Sequence, residues 1–232
     1  MDQSPNVPRD ADGTAILEGL REEHDVRAAC EHVFVLYRPP YRPAYSYMLG
    51  MYLGDGCLTG RERCKQFVVA LDAAYPEIID ECWVAMALTL PGCRPVKQKM
   101  HYECVRVVSG SVRWPEVFPQ HGPGRKHDRP IVLEPWQREI VDAFPREFLR
   151  GLLHSDGCRT VNRFKTRLPS GRLAEYAYPR YFFSNLSSDI RGLFCEYCDR
   201  LGIRWTQSNH RNISVSHRRS VAALDEFIGP KR

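Results

Sequence analysis

The chain has 232 residues and a net charge of +5, and this length is enough for one large domain or two small ones with a buried core. The charge is uneven, because residues 1–43 contain 5 Lys and Arg against 8 Asp and Glu, which leaves 28 against 20, or +8, for the rest. A basic surface indicates a nucleic-acid or anionic-membrane partner. No apolar run reaches the length of a transmembrane helix, and the acidic N-terminus does not resemble a signal peptide.

The first 43 residues form an acidic extension. Residues 1–13 are polar, contain Pro and Gly, and are expected to be disordered. Residues 14–36 predict an acidic amphipathic helix, which three prolines between residues 39 and 43 separate from the following helix. We therefore expect an N-terminal extension over residues 1–43 that is partly disordered or helical.

A nine-residue phrase then occurs twice in the chain. Residues 48–56 read MLGMYLGDG and residues 149–157 read LRGLLHSDG. The dense apolar residues before each acid predict two helices, each with a narrow stripe of small residues. A helical Gly costs about 1 kcal/mol relative to Ala, so the shared stripe indicates that the two helices pack closely. The stripe residues are Gly50 and Gly54 in the first copy and Gly151 and Ser155 in the second.

The two phrases end in Asp55 and Asp156, which should then lie side by side. A carboxylate at a helix C-terminus faces the negative end of the helix dipole, and a second carboxylate nearby makes ionisation of both costlier. A cation is therefore expected, and Mg²⁺ or Mn²⁺ fits oxygen ligands that include the backbone carbonyls of Gly54 and Ser155. Such ions activate water and stabilise a phosphodiester leaving group. A simple helix stop with a turn is the alternative, and the repetition weakens it.

Between the two phrases the pattern predicts strands, a helix, more strands and a short helix. Residues 122–136 bridge to the second copy. The predicted elements are a hairpin through residues 60–65 and 67–71, a helix over 77–88, strands over 96–101 and 104–108, and a helix over 114–118.

The second half repeats this order more clearly. After Gly157 the residues alternate, so that Arg159, Arg163, Lys165 and Arg167 share one strand face, and residues 169–171 form a turn. The remaining predicted elements are a strand over 175–183, a helix over 189–201, strands over 204–207 and 212–217, and a helix over 221–227. The expected fold class is α+β, with two pseudo-symmetric αββαββα halves whose antiparallel sheets lie side by side.

A Lys follows a Gly-Pro turn at the end of each half. Lys126 comes 71 residues after Asp55, and Lys231 comes 75 residues after Asp156. A Lys near a scissile phosphate can polarise water or stabilise developing charge. A solvated basic turn and a frayed C-terminus are the alternative interpretation.

The nine cysteines form no disulfide-type spacing and fit a reducing, cytoplasmic environment. Cys195 and Cys198 form a lone CxxC within a predicted helix, and no second CxxC is present to complete a zinc site. Helix packing is the better interpretation of this pair.

The two phrases resemble the LAGLIDADG motifs of homing endonucleases along all nine positions, with Gly third, a small residue seventh and Asp-Gly last. The resemblance covers about residues 44–231, and two motifs about a hundred residues apart are typical of the single-chain, monomeric members. It implies a first half over residues 44–121, a linker over 122–144 and a second half over 145–232. Leu53 and His154 occupy the sixth motif position, which is often acidic in the family.

The resemblance also implies a chemistry and a partner. The last acid of each motif helix, Asp55 or Asp156, would bind Mg²⁺ between the protein and double-stranded DNA, with a saddle of strands in the major groove. Lys126 and Lys231 match positions that are often basic, and Asn185 matches a position where a polar residue often orients water. The first half has Asp72 or Ala73 at that place.

Candidate DNA-contacting residues follow from the basic strand faces, since Arg and Lys contact guanine or phosphate and Asn or Gln can read adenine. Residues 159–180 contain six Lys or Arg and only Glu175 as an acid, whereas an ordinary solvated face mixes signs. The candidates are Arg159, Arg163, Lys165, Arg167, Tyr178, Arg180, Gln207, Asn209 and Arg211 in the second half, and Arg61, Arg63, Lys65, Lys97 and Lys99 in the first.

Three functions therefore compete. The resemblance and both acids favour a site-specific, metal-dependent DNA endonuclease that makes a staggered double-strand break. A non-cleaving DNA-binding transcriptional regulator, as in sporulation regulators with a similar domain, is the alternative, and an RNA splicing cofactor on the same scaffold also stays open.

Overall fold

One order of elements occurs twice in the fold. The computed structural model describes residues 39, 41–61, 64–229 and 231, with the backbone alone at Arg61. The first half consists of α1 (Arg42–Leu53), β1 (Gly56–Arg61), β2 (Cys64–Asp72), α2 (Pro76–Thr89), β3 (Val96–Lys99), β4 (Cys104–Ser111) and α3 (Trp114–Val117).

A helix that belongs to neither repeat precedes the second half. This is α4 (Pro135–Ala143), which follows a short 3₁₀ turn at Lys126–Asp128. The second half consists of α5 (Pro145–Asp156), β5 (Gly157–Arg167), β6 (Leu173–Ser184), α6 (Ser188–Arg200), β7 (Thr206–Gln207), β8 (Asn212–Val215) and α7 (Arg218–Ile228).

The two sheets have the same topology. Their strand orders are β1-β2-β4-β3 and β5-β6-β8-β7, and all neighbouring strands are antiparallel. The predicted α+β class with two αββαββα halves is thus confirmed.

Several elements differ from the sequence predictions. The first hairpin starts at Gly56, directly after the acid, so the predicted hairpin was placed too late. Helix α7 starts at Arg218 instead of residue 221. Helix α4 lies in the segment predicted as a plain linker, where Glu134 caps it and the Gln137 side chain accepts a hydrogen bond from the Glu134 N–H. The helix predicted over residues 14–36 lies outside the described residues.

Helices α1 and α5 pack against each other through their motif glycines. A Cβ added at Gly50 would lie 2.5 Å from the Phe148 carbonyl oxygen and 2.8 Å from the Leu152 nitrogen. A Cβ added at Gly151 would overlap the Tyr47 carbonyl oxygen and lie 3.1 Å from the Gly50 Cα. Only hydrogen atoms fit at these two positions, so the predicted close approach of the two motif helices is confirmed.

A buried histidine also joins the two halves. His154 of α5 is 2 % exposed, accepts a hydrogen bond from the Tyr47 hydroxyl at Nδ1 (3.1 Å) and donates from Nε2 to the Ile228 carbonyl (2.6 Å). Burial lowers the pKa of His154 to about 4, so the ring is neutral at pH 7. Next to it, Arg150 donates to Glu81 of α2 at 2.7 Å.

Each sheet packs one face against helices. In the second sheet Tyr181 and Phe183 are buried on this face, and the Phe183 ring stacks on Phe194 of α6 at 4.4 Å. In the first sheet Phe67 is buried, and its ring lies 5.0 Å from that of Trp114. Since strand residues alternate between faces, the residues between these positions form the outer face of each sheet.

We expect Gly50→Ala and Gly151→Ala each to lower the free energy of unfolding by about 1–3 kcal/mol, because the added methyl group overpacks the contact between α1 and α5. Gly192→Ala is the matched control, since Gly192 is an exposed position inside α6 where an added Cβ would meet no atom within 4 Å. There the substitution should stabilise by up to about 1 kcal/mol. Urea unfolding of the three variants measures the difference, and stabilisation at all three positions would contradict the close packing.

Candidate functional site

The two motif acids meet where the motif helices end. Asp55 follows α1, and Asp156 is the last residue of α5. A Cβ added at Gly54 would lie 3.3 Å from the Asp156 Cγ, so the Asp156 carboxyl group lies against the residue that precedes Asp55. The structure therefore brings the predicted pair of acids together.

The ionisation of both acids is disfavoured. Desolvation, followed by the negative charge of Asp55, raises the pKa of Asp156 to about 6. Desolvation also raises the pKa of Asp55, although two nearby lysines oppose the shift. A pair of carboxylates that resists full ionisation is a favourable place for a cation.

Lys126 closes the end of the first motif helix. Its Nζ donates to the backbone carbonyls of Tyr52 and Gly54 and to that of Gly56 at 2.8 Å. Burial lowers the pKa of Lys126 to about 8, although both acids oppose the shift. A positive charge at this place neutralises the carbonyl ends of α1.

Lys231 has the equivalent role at the second motif helix. Its Nζ donates to the carbonyls of His154 (2.8 Å) and Ser155 (2.9 Å), and burial lowers its pKa. Each lysine caps the helix of its own half, but the acid that acts most strongly on it belongs to the other half. Asp156 has the larger effect on Lys126, and Asp55 has the larger effect on Lys231.

Asn185 contacts the second acid directly. Its Nδ2 donates to the Asp156 carboxylate at 2.5 Å, and its Oδ1 accepts from the Ser187 N–H at 2.8 Å. The first half contains the same kind of turn, in which the Asp72 carboxylate accepts from the Ala74 N–H at 2.8 Å.

Asp72 is therefore the counterpart of Asn185 by local geometry. It lines a cleft of about 230 Å³ together with Asp55 and Lys231. An ionised carboxylate accepts hydrogen bonds but cannot donate one, whereas the Asn185 amide can donate. The surroundings of the two motif acids are thus unequal.

The donor set fits a hard divalent cation. Mg²⁺ is commonly held by one or two carboxylates, with water and substrate phosphates completing its shell, and Asp55 and Asp156 supply this minimum. Within the described residues no group of three or more His, Cys, Asp or Glu forms a complete metal cage. The carbonyls of Gly54 and Ser155 accept from lysines, but a carbonyl oxygen has a second lone pair, so their role as ligands stays a prediction.

Several of the predicted DNA-contacting residues form ion pairs or hydrogen bonds within the protein. Arg159 forms a bidentate ion pair with Asp225 of α7, in which its Nε and Nη2 donate to the two carboxylate oxygens at 2.8 and 2.9 Å. Lys97 pairs with Asp80 of α2, and Lys65 donates to the Gly60 carbonyl at 3.5 Å. The partners of Arg159 and Lys97 are helical, so these two basic residues lie on the helix-facing sides of their sheets.

The other predicted residues have varied surroundings. Arg163, Lys165 and Arg167 share the strand parity of Arg159 but are exposed, because the hairpin extends beyond its helices. Tyr178 and Arg180 have the opposite parity and lie on the outer face. Exposed side chains are also found at Lys99, Gln207, Asn209 and Arg211, whereas Arg63 and the Arg61 side chain lie outside the described part.

The outer faces contain residues that the sequence analysis missed. On the first sheet, Gln66, Gln98 and Arg106 are exposed with a parity opposite to buried Phe67 and Val107. On the second, Phe164 and Tyr176 accompany Tyr178. Counting outward from the core residues would have found these positions, most of which are uncharged.

The sequence predicts cysteines that form no disulfides and a chain without a transmembrane helix. Each cysteine of the described ranges is a free thiol, and Cys198 of the CxxC pair is buried on α6. Among the helices that the structure describes, none is long and apolar enough to cross a bilayer.

No protein-family model and no curated protein matches this sequence. Solved structures match over most of the chain. The LAGLIDADG meganuclease I-AabMI bound to uncleaved DNA is 12% identical over 79% of this chain and 82% of its own, with a TM-score of 0.51. Mesophilic variants of the homing endonuclease I-DmoI are 13% identical over 81% of this chain and 95% of theirs, with a TM-score of 0.53.

A third match is full-length DUF199/WhiA from Thermatoga maritima. It is 18% identical, covers 86% of this chain and 60% of that protein, and has a TM-score of 0.50. The chain therefore has the fold of two-motif LAGLIDADG meganucleases, as the repeated phrase predicted.

The raised pKa of Asp156 has a consequence for stability. The folded state binds the Asp156 proton more tightly than the unfolded state does. The free energy of unfolding therefore decreases as the pH rises from about 4 to about 6. We expect Asp156→Asn to be more stable than the wild type at pH 7.5, with the difference shrinking towards pH 4.5. Urea unfolding across this range measures it, with the exposed Glu226→Gln as the control. A difference that does not change with pH would contradict the assignment.

Proposed function

We propose that the protein is a site-specific double-strand DNA endonuclease that uses Mg²⁺ or Mn²⁺ at Asp55 and Asp156 and makes a staggered break. The observation that supports this most strongly is the meeting of the two acids at the ends of packed helices, with the Asp156 Cγ 3.3 Å from a Cβ position on Gly54. A structural salt bridge would leave each acid with its own arginine, and neither acid has one in the described contacts. The pair is open to a phosphodiester and a cation.

Each side chain has a role in this proposal. Asp55 and Asp156 hold the cation, which when bound supplies an activated water and neutralises charge on the leaving oxygen. Lys126 and Lys231 place positive charge beside the acids and attract the scissile phosphates. Asn185 holds the Asp156 carboxylate in one orientation through its amide.

A duplex partner agrees with the charge and the fold. The chain beyond residue 43 carries +8, and binding to a phosphate backbone depends on such charge. The two similar sheets of one chain provide two surfaces for DNA recognition, so a monomer would contact both half-sites of a pseudo-symmetric target. We propose the predicted halves, 44–121 and 145–232, as these two units.

A DNA-binding protein that does not cut is the second candidate. The fold alone does not distinguish the two candidates, because DUF199/WhiA matches with about the same TM-score as the meganucleases. The presence of both acids, each with a lysine beside it, favours the nuclease.

We expect the wild-type protein to cut duplexes that it selects from a randomised library in EDTA, once Mg²⁺ is added. Asp55→Asn and Asp156→Asn should bind the same duplexes but lose double-strand cleavage by at least about 100-fold, since each removes a proposed metal ligand. End-labelled duplexes on denaturing gels report the cuts on each strand.

Glu226→Gln is the control for the loss of one negative charge, and it should cut at the wild-type rate. Equal binding and no cleavage by the wild type and all variants would support the non-cleaving candidate. Wild-type cleavage that survives both Asp→Asn changes would exclude the proposed site.

A further inference from the structure

The β5–β6 hairpin continues as a free two-stranded ribbon. Strand β8 pairs with β6 only at residues 181–184, whereas β5 and β6 stay paired as far as Arg167 and Leu173. Eight residues of β5, 160–167, thus lie in the ribbon, which at about 3.4 Å per residue spans roughly 25 Å. A two-stranded ribbon fits the major groove of B-DNA.

Three aromatic rings lie together on the outer face of this ribbon. Phe164, Tyr176 and Tyr178, here the aromatic triad, have ring centroids 5.4 to 6.0 Å apart and planes within 29° of one another. Phe164 is 45 % exposed and Tyr178 is 47 % exposed. Such a cluster is not part of the core, because its strand parity is opposite to that of buried Tyr181.

The surroundings of the aromatic triad suit a nucleic acid. Within residues 159–180 the only acid is Glu175, and its carboxylate lies 3.8 Å from Lys165. Arg180 continues the outer face beyond the triad, stacked over the Phe182 ring at 5.4 Å. An exposed apolar cluster with a basic border complements a duplex, whose groove floor offers apolar groups between two rows of phosphates.

The chemistry of the Phe164 ring limits which groups of a base it can contact. A Phe ring has no hydrogen-bonding group, and the thymine C5 methyl is the apolar feature in the major groove. The outer face of the first sheet is different, because its exposed Gln66, Gln98 and Arg106 are suited to adenine and guanine edges.

We propose that the aromatic triad determines specificity by contacting thymine methyl groups, so that the half-site beneath the second sheet is rich in A·T pairs. The inference rests on the proposed binding of duplex DNA. It does not depend on cleavage.

The test uses the full chain and a randomised duplex library, selected for binding in EDTA so that no cutting occurs. We expect one half of the selected sequence to contain adjacent A·T pairs. Replacing thymine by uracil in that half removes only the methyl groups and should weaken wild-type binding about fourfold per contacted methyl. The Phe164→Ala/Tyr178→Ala double variant should bind more weakly and respond equally to thymine and uracil.

Leu173→Ala is the matched control, because Leu173 is an exposed apolar residue of the same hairpin with the opposite parity. It should keep the full response to uracil. A selected site with no A·T half, or binding that is indifferent to uracil in the wild type, would overturn the inference while the proposed function stands. Failure to select any duplex would count against both.

Discussion

The contact between Gly50 and Gly151 is the constraint on which the rest of the structure depends. It lets the backbones of α1 and α5 approach so closely that no side chain fits between them. Since an acid lies at the C-terminal end of each helix, this approach also brings Asp55 and Asp156 together. Packing and chemistry are therefore linked, and a change that separates the helices would also open the site.

Bringing two carboxylates together has an electrostatic cost, which the structure offsets with lysines from the ends of the two halves. Lys126 and Lys231 each donate hydrogen bonds to the carbonyls of their own motif helix, and the acid of the other half raises the pKa of each lysine more than the acid of its own half does. Each acid therefore has surroundings to which both halves contribute.

The pseudo-twofold symmetry is incomplete. Asn185 donates to Asp156, whereas Asp72 occupies the equivalent turn beside Asp55 and cannot donate when ionised. His154 bridges the halves from a motif position where the first half has Leu53. Such differences agree with the proposed function, in which each half would face a different strand and sequence of the target.

The sequence was enough to predict the motif helices, the order of elements in each half and the pairing of the acids, because these follow from local periodicity and from one internal repeat. Long-range contacts were not readable. Arg159 alternates like a surface residue, yet its partner Asp225 is 66 residues away, so its location on the helix-facing side could not be seen. Helix α4 was not predicted because Glu134 is an unusual N-cap residue. The sequence left Asp72 and Ala73 open as the counterpart of Asn185, and the turn at Asp72 in the structure identifies Asp72 as that counterpart.

The most direct test of the account is a ¹³C NMR titration of the aspartate carboxyl groups in the wild type and in Asp55→Asn. If the two acids lie side by side, the pKa of Asp156 is about 6 in the wild type and falls when the charge of Asp55 is removed, while desolvation keeps it above its ordinary value. An Asp156 pKa that is the same in both proteins would show that the acids do not interact and would contradict the account.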